Sequence, residues 1–303
     1  MDVSRKNFEH LLGGELSTAA EEILLRSDFR YRTLTDRETD DALIRYVSFL
    51  MAPKKRSGPD YQQIWESGWN ENLIEFVASG DPSALVPKFV KSKQIIRYDG
   101  GMVIPYSEGF ETDFVSVIRD FFFRSYFSDA PAVVEFGCGT SSNLVHLSTM
   151  FPDMRIFGTD WASSSLDLIR EINFRLNLRI EGRYFDLFRP DRDFVEEIPD
   201  GAGVFTMGAL EQLGDKYSPF LSFLLESNVG TVVHFETAYE LYHPENLWDF
   251  LAVQYIEKRN WLRGYFKELE NLEAEGRIKI VHQGKTFGSF FHDGYTVTVW
   301  EKV

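Results

Sequence analysis

Val133-Val134-Glu135-Phe136-Gly137-Cys138-Gly139-Thr140-Ser141-Ser142-Asn143 reads as a buried strand, a tight glycine turn and the start of a helix. Glycine at 137 and 139 lets the backbone turn sharply and lets a ligand approach closely. N–H groups at the start of the next helix would point at that ligand. A second apolar strand, 155–160, ends on Asp160, 23 residues after Gly137. An acid there can accept both hydroxyls of a ribose. A third strand, 183–185, is followed by Asp186, placed to accept from an adenine amino group with Leu187 or Phe188 against the ring. Strands at 132–136, 203–206 and 231–235 and helices starting near Ser141, Ser163 and Lys216 complete the alternation. It predicts an α/β fold, a parallel sheet with helices on both faces.

Away from this region the texture changes. Residues 108–127 read as a Phe-rich helix. Pro244, a good first-turn residue, opens a long helix carrying Leu247, Leu251, Tyr255, Leu262 and Phe266, with a break expected at Gly264. Strands at 277–282 and 295–300 close the chain. Before about residue 105 the pattern is mainly helical, with no repeated strand signal. Thr18 with Glu21 and Thr35 with Glu38 have capping-box spacing. A further helix carries Ile64, Trp65, Leu73 and Phe76 and is interrupted near Gly68. Residues 95–104 read as a hairpin turned at Asp99-Gly100. Lys54-Lys55-Arg56, between Pro53 and Pro59, reads as an exposed loop.

Composition narrows the classes. The chain has 303 residues, of which 44% are hydrophobic, enough for one large domain or a core with an appended cap. Its 47 acidic against 32 basic residues give a net charge of −15, which repels phosphate backbones and disfavours nucleic acid. One cysteine excludes an internal disulfide and a multi-thiolate zinc site, and no His/Asp/Glu spacing of metal-ligand type occurs, so no metal is expected. No run of 18 apolar residues and no signal-peptide core is present, so no membrane partner is expected and the cytoplasm is the simplest location.

A dinucleotide fingerprint needs Gly-x-Gly-x-x-Gly, and Ser142 occupies the third glycine position, which disfavours an NAD-dependent oxidoreductase. From about Tyr106 to Val303 the chain resembles the class I SAM-dependent methyltransferases of small-molecule type. Glu135-Phe136-Gly137-Cys138-Gly139 is similar to their first motif, with Ser141 at the third alternating position. Gly203-Val204-Phe205-Thr206-Met207-Gly208-Ala209-Leu210-Glu211-Gln212-Leu213 is similar to their fourth-strand motif, with Gln212 where many members have histidine. The resemblance implies a doubly wound, mostly parallel seven-stranded sheet in the order 3-2-1-4-5-7-6, the last strand antiparallel. It divides the chain into a mainly helical cap with a small hairpin, 1–105, and a domain for S-adenosyl-L-methionine (SAM), 106–303. Cofactor contacts are expected at Tyr106, Glu135, Gly137, Cys138, Gly139, Asn143, Asp160, Trp161, Asp186, Leu187, Met207 and Gly208. For Tyr106 an ordinary half-buried aromatic is an equal reading, and Cys138 reads as packing rather than as a nucleophile.

Methyl transfer from a sulfonium is an in-line displacement that needs a positioned nucleophile and, for an oxygen acceptor, a base. Gln212 cannot titrate. His234 and Glu236, two apart at the end of the fifth strand, are therefore the candidate catalytic residues. A hydrogen-bonded core histidine is an equal reading for His234, and a capping or ion-paired carboxylate is the alternative for Glu236. Tyr242, Trp248, Tyr255 and Trp261 could line an acceptor pocket, although their helical spacing also fits a core. The expected activity is methyl transfer to a small-molecule acceptor. A SAM-binding sensor or inactive partner subunit is the alternative, and association as a homodimer stays open.

Overall fold

Val134 and Phe136 enter one hydrophobic core and Val133 another, which puts their strand in the middle of a sheet covered on both faces. The computed structural model describes residues 1–53, 58 and 61–303; the basic cluster Lys54-Lys55-Arg56 lies outside the described residues. In chain order the elements are α1 (Arg5–Leu12), α2 (Thr18–Arg26), β1 (Tyr31–Thr33), α3 (Asp36–Met51), α4 (Gln62–Ser79), β2 (Ile96–Tyr98), β3 (Gly101–Pro105) and α5 (Phe110–Phe127). Then come β4 (Ala132–Phe136), α6 (Ser142–Met150), β5 (Arg155–Asp160), α7 (Ser163–Leu176), β6 (Ile180–Tyr184), β7 (Gly203–Met207), α8 (Ser218–Glu226) and β8 (Thr231–Phe235). The chain closes with α9 (Leu247–Arg259), α10 (Tyr265–Ala274), β9 (Ile278–Gly284), β10 (Phe287–Gly288) and β11 (Val297–Lys302).

Seven strands form the main sheet in the order β6-β5-β4-β7-β8-β11-β9. β4 to β8 pair in parallel, and β11 is antiparallel to both its neighbours. Numbered along the chain, this is the expected order 3-2-1-4-5-7-6. Helices α5, α6 and α7 bury apolar residues on one face, and α8 and α10 on the other. The crossovers leave the glycine turn, the end of β5 and the end of β7 side by side at the carboxyl edge, where open α/β sheets bind ligands.

Several local expectations needed correction. The expected hairpin β2-β3 is extended by β1 and β10, which carried no signal, into a second, four-stranded sheet, β1-β3-β2-β10. Two of its strands come from opposite ends of the chain and one is only two residues long, too short for an alternation signal. β6 begins at Ile180 rather than 183; it is an edge strand whose only fully buried residue is Ile180. The helix expected from Pro244 starts at Leu247, because the Asn246 side chain accepts from Trp248 and Asp249 N–H. It ends at Arg259, and Gly264, at φ 85°, caps the separate α10. Ser17, not Thr18, caps α2, while Glu21 pairs with Arg5 instead of closing a box. The Thr35–Glu38 box and the Asp99-Gly100 turn, both residues at positive φ, form as expected.

The first 105 residues do two different things. Phe8 and Phe29 pack on Phe110 and Phe114 of α5, joining the main core. Helices α3 and α4 instead bring Arg45, Trp65 and Trp69 to the carboxyl edge of the sheet. Arg97 of β2, 2% exposed, ties the second sheet to the α9 region through Asp249 Oδ1 (2.6 Å), Asp293 Oδ2 (3.2 Å) and the Trp248 carbonyl (2.9 Å).

Candidate active site

Gly137 and Gly139 take φ of 76° and 51°, and Ser141, at the third alternating position, takes 62°. Space constrains the glycines too: a Cβ on Gly137 would sit 2.4 Å from Ala209 Cβ, and one on Gly139 3.0 Å from the Trp69 ring. Gly137 and Cys138 N–H both donate to the Thr159 carbonyl (2.8 and 2.9 Å), and Gly139 N–H donates to Asp160 Oδ2 (2.8 Å). The turn is therefore built onto the end of β5.

Two cavities adjoin it. A narrow one of about 60 Å³ is bounded by Gly137, Asp160, Trp161, Phe185, Leu187, Phe188, Gly208 and Gln212. A large one of about 800 Å³ is bounded by Glu111, Arg119, Glu135, Cys138, Gly139, Asn143, Met207, Gly208 and Glu211, with an aromatic wall of Tyr255, Trp261, Phe291, His292 and Tyr295. Trp65 and Trp69 border both.

The narrow cavity gathers Asp160, Trp161 and Leu187, with Trp161 and Phe188 stacked at 5.8 Å. Asp160 is already engaged: Oδ2 holds Gly139 N–H and Oδ1 holds Ala162 N–H (2.8 Å). Burial raises its pKa to about 6, against those backbone bonds. Asp186 does not line the cavity; its Oδ1 accepts from Phe188 N–H (2.9 Å) and shapes the turn that presents Leu187 and Phe188.

In the large cavity a polar chain runs from Arg119 to Glu135. Arg119 donates to Asn143 Oδ1 (3.0 Å), and Asn143 Nδ2 donates to Glu135 Oε1 (2.7 Å). Arg119 Nε and Glu135 Oε2 are buried without partners among the described residues. Burial lowers Arg119 to about 10 and raises Glu135 to about 8. Glu111, whose pKa burial also raises, accepts from Gln94 Nε2 (2.5 Å) and Tyr295 Oη (3.2 Å).

Besides Asp186, three expected site residues lie elsewhere. His234 is fully buried beneath the sheet and lines neither cavity. Trp300 Nε1, which can only donate, points at its Nε2 (3.2 Å) with Tyr265 Oη (2.8 Å), so its Nδ1–H donates to Thr206 Oγ1 (2.9 Å). Burial holds it neutral, with its pKa lowered to about 3. Glu236 lies one residue beyond β8 and turns back: Oε1 accepts Ala209 and Leu210 N–H (2.9 and 3.1 Å) at the start of the 3-10 turn Leu210–Leu213. It lines neither cavity. Tyr106, 54% exposed, has Arg30 over its ring and borders neither cavity.

The titratable group that does face the large cavity beside Met207 and Gly208 is Glu211. Its Oε1 accepts from Gln212 Nε2 (3.1 Å). Burial, then the nearby Glu236 carboxylate, pushes its pKa to about 8. His292, bonded to Thr237 Oγ1 (2.7 Å) through Nδ1, sits across the cavity with its pKa lowered to about 3 by burial. Glu211 was legible, being next to Gln212 in the quoted motif. Arg119, Trp65 and Trp69 carry no local signal, because tertiary packing alone brings them to the turn. Tyr255 and Trp261 do line the cavity, whereas Tyr242 and Trp248 do not.

No protein-family model matches the sequence, and no curated protein matches it. Among solved structures the chain is similar to a SAM-dependent methyltransferase from Anabaena variabilis (17% identity, 84% of this chain and 99% of that chain, TM-score 0.48). It is similar to geranyl diphosphate C-methyltransferase from Streptomyces coelicolor (12%, 82% and 100%, TM-score 0.47) and to the cyclase SpnF (14%, 78% and 78%, TM-score 0.46). At these values the likeness assigns no substrate or reaction. The strand order itself identifies the fold: it is the doubly wound, seven-stranded fold of the class I SAM-dependent methyltransferases.

Proposed function

We propose that this chain is a SAM-dependent methyltransferase acting on a small-molecule acceptor. One observation carries the reading: Glu135 Oε2, an acceptor once its carboxyl is ionised, and Arg119 Nε, a donor, lie buried and unpartnered among the described residues in one cavity beside the glycine turn. Unpaired buried polar atoms are costly, and each wants a partner of opposite character. The α-ammonium and α-carboxylate of a methionine moiety supply that complementary pair. Glu135 would hold the ammonium and Arg119 the carboxylate, with Asn143 fixing both.

Gly137 and Gly139 would allow the backbone to approach the cofactor closely. Asp160 keeps lone pairs beyond its two backbone bonds, since a carboxylate has about four acceptor positions, and these would serve the ribose hydroxyls. Leu187, Phe188 and Trp161 would enclose the adenine. When bound, SAM supplies an already activated methyl group, so the protein's task is orientation, exclusion of water and proton removal. Glu211 replaces the expected pair of His234 and Glu236 as the group suited to take an acceptor proton. It faces the cavity, and a carboxylate with a pKa near 8 is a competent base near neutral pH. The aromatic wall of Tyr255, Trp261 and Phe291 suits a compact, largely apolar acceptor. The stretch before residue 105 would act as a cap through α3 and α4.

A thermal-shift comparison of SAM, S-adenosylhomocysteine (SAH) and NAD, followed by SAH release with small-molecule acceptors, tests the reading. Stabilisation by SAM and SAH but not NAD is expected. Stabilisation by NAD alone would overturn it, and SAH binding with no turnover on any acceptor would favour a sensor.

A further inference from the structure

Helix α4 carries two indoles, Trp65 and Trp69, stacked at 5.2 Å, and both border both cavities. Trp69 lies against Gly139, the surface that glycine leaves open for a ligand. Trp65 Nε1 is a buried donor with no partner among the described residues. The narrow cavity, about 60 Å³, is too small for an adenine ring, since a benzene occupies a cavity of about 150 Å³. With the wall in this position, the pocket that gathers Asp160, Trp161 and Leu187 leaves little room for an adenosyl group, and Trp65 and Trp69 form part of what narrows it.

The two halves of α4 are held differently. Asn72 Nδ2 donates to the Ala84 and Val86 carbonyls (2.7 and 3.0 Å), and Phe76 is fully buried, so the carboxyl-terminal half is anchored. The amino-terminal half rests on α7 through Glu66, whose carbonyl accepts Ser164 Oγ (3.0 Å) and whose carboxylate accepts Ser163 Oγ (2.9 Å), and on Gln62. The Glu66 carboxylate accepts Ser163 and Ser164 N–H (2.7 and 3.0 Å) at the start of α7, and Gln62 Nε2 donates to the Trp161 carbonyl (2.8 Å). Between the halves sits Gly68, where a Cβ would meet nothing within 4 Å. Packing does not require glycine there, and glycine weakens a helix interior.

We propose that Trp65 and Trp69 are contact residues of the cofactor seat, Trp69 on the anchored part of α4 and Trp65 on a hinged part. The amino-terminal half of α4 pivots at Gly68, releases Glu66 to admit the cofactor, and then closes the Trp65 indole on it against Trp69. This rests on the cofactor reading given above. It places two binding residues in the amino-terminal region, outside the glycine-turn motifs.

Stopped-flow tryptophan fluorescence with SAH tests it. In a Trp161→Phe background, which removes the indole placed against the adenine, binding should change the emission, and most of that change should vanish when Trp65→Phe and Trp69→Phe are added while SAH still binds. Gly68→Ala, a stiffer helix, should slow SAH association several-fold. Glu66→Gln, a weakened latch, should speed both association and dissociation several-fold. If SAH binds but the emission change survives the double substitution and neither Gly68→Ala nor Glu66→Gln alters the rates, the hinged wall is wrong and the cofactor reading stands. If calorimetry shows no SAH binding to the unaltered protein, the cofactor reading falls and this proposal with it.

Discussion

Replacing Glu211 with glutamine should make the ligand-free protein more stable at neutral and alkaline pH. The carboxyl is buried, and its pKa is raised from 4.5 to about 8, first by burial and then by Glu236. A group with a raised folded-state pKa stabilises the fold only while protonated. Its contribution is intact below pH 4.5 and is lost as pH rises toward about 8. At 1.36 kcal/mol per pKa unit, Glu211 costs the fold about 3 kcal/mol at pH 7, where it stays protonated while the unfolded chain ionises, and about 5 kcal/mol above pH 8, where it ionises in the fold. Glutamine removes that cost and relieves Glu236, whose own pKa is raised to about 7. Urea unfolding of both proteins at pH 5, 7 and 9 should show a stability gap that opens as pH rises. SAH affinity should stay unchanged, and methyl transfer to an acceptor hydroxyl should fall by about 10²–10⁴-fold. A gap independent of pH, or a less stable variant at pH 9, would refute the desolvated carboxylate and its role as base.

Three further outcomes are expected. Arg97→Ala removes one of the two cations that face the buried Asp249 and Asp293, Lys285 being the other, and should cost about 1.5–3 kcal/mol in urea unfolding. Gly137→Ala combines positive φ with a 2.4 Å approach to Ala209 and should abolish calorimetric SAH binding, because the turn must shift. His234→Ala leaves Tyr265 Oη and Trp300 Nε1 unpaired and should lower the unfolding free energy by about 2–5 kcal/mol, while isothermal titration shows SAH affinity unchanged in protein that remains folded.

How legible the molecule was in its sequence depended on burial. β4, β5 and β8 lie in the middle of the sheet, and their apolar runs gave their bounds directly. β6, mostly exposed, was misplaced, and of the second sheet only the β2-β3 hairpin was legible, because β1 and β10 join it from distant parts of the chain. In the site, the glycine turn and Asp160 sit on adjoining strand ends, so spacing along the chain located them. His234 and Glu236 line neither cavity, for a definite reason. Period-two alternation puts His234 and Glu236 on one face only if the strand continues, and β8 stops at Phe235. Arg119 and the two indoles come from helices that reach the turn only through packing.

The central claim is that Glu135 and Arg119 await the charged ends of a methionine moiety. Glu135, with its pKa raised to about 8, is protonated at pH 7 in the free protein, and an ammonium beside it would drive the proton off. Calorimetry of SAH binding at pH 7 in two buffers of different ionisation enthalpy measures this directly. The account predicts binding with release of about one proton, and in Glu135→Gln weaker binding without that release. Absence of SAH binding, or binding whose heat is the same in both buffers, would contradict it.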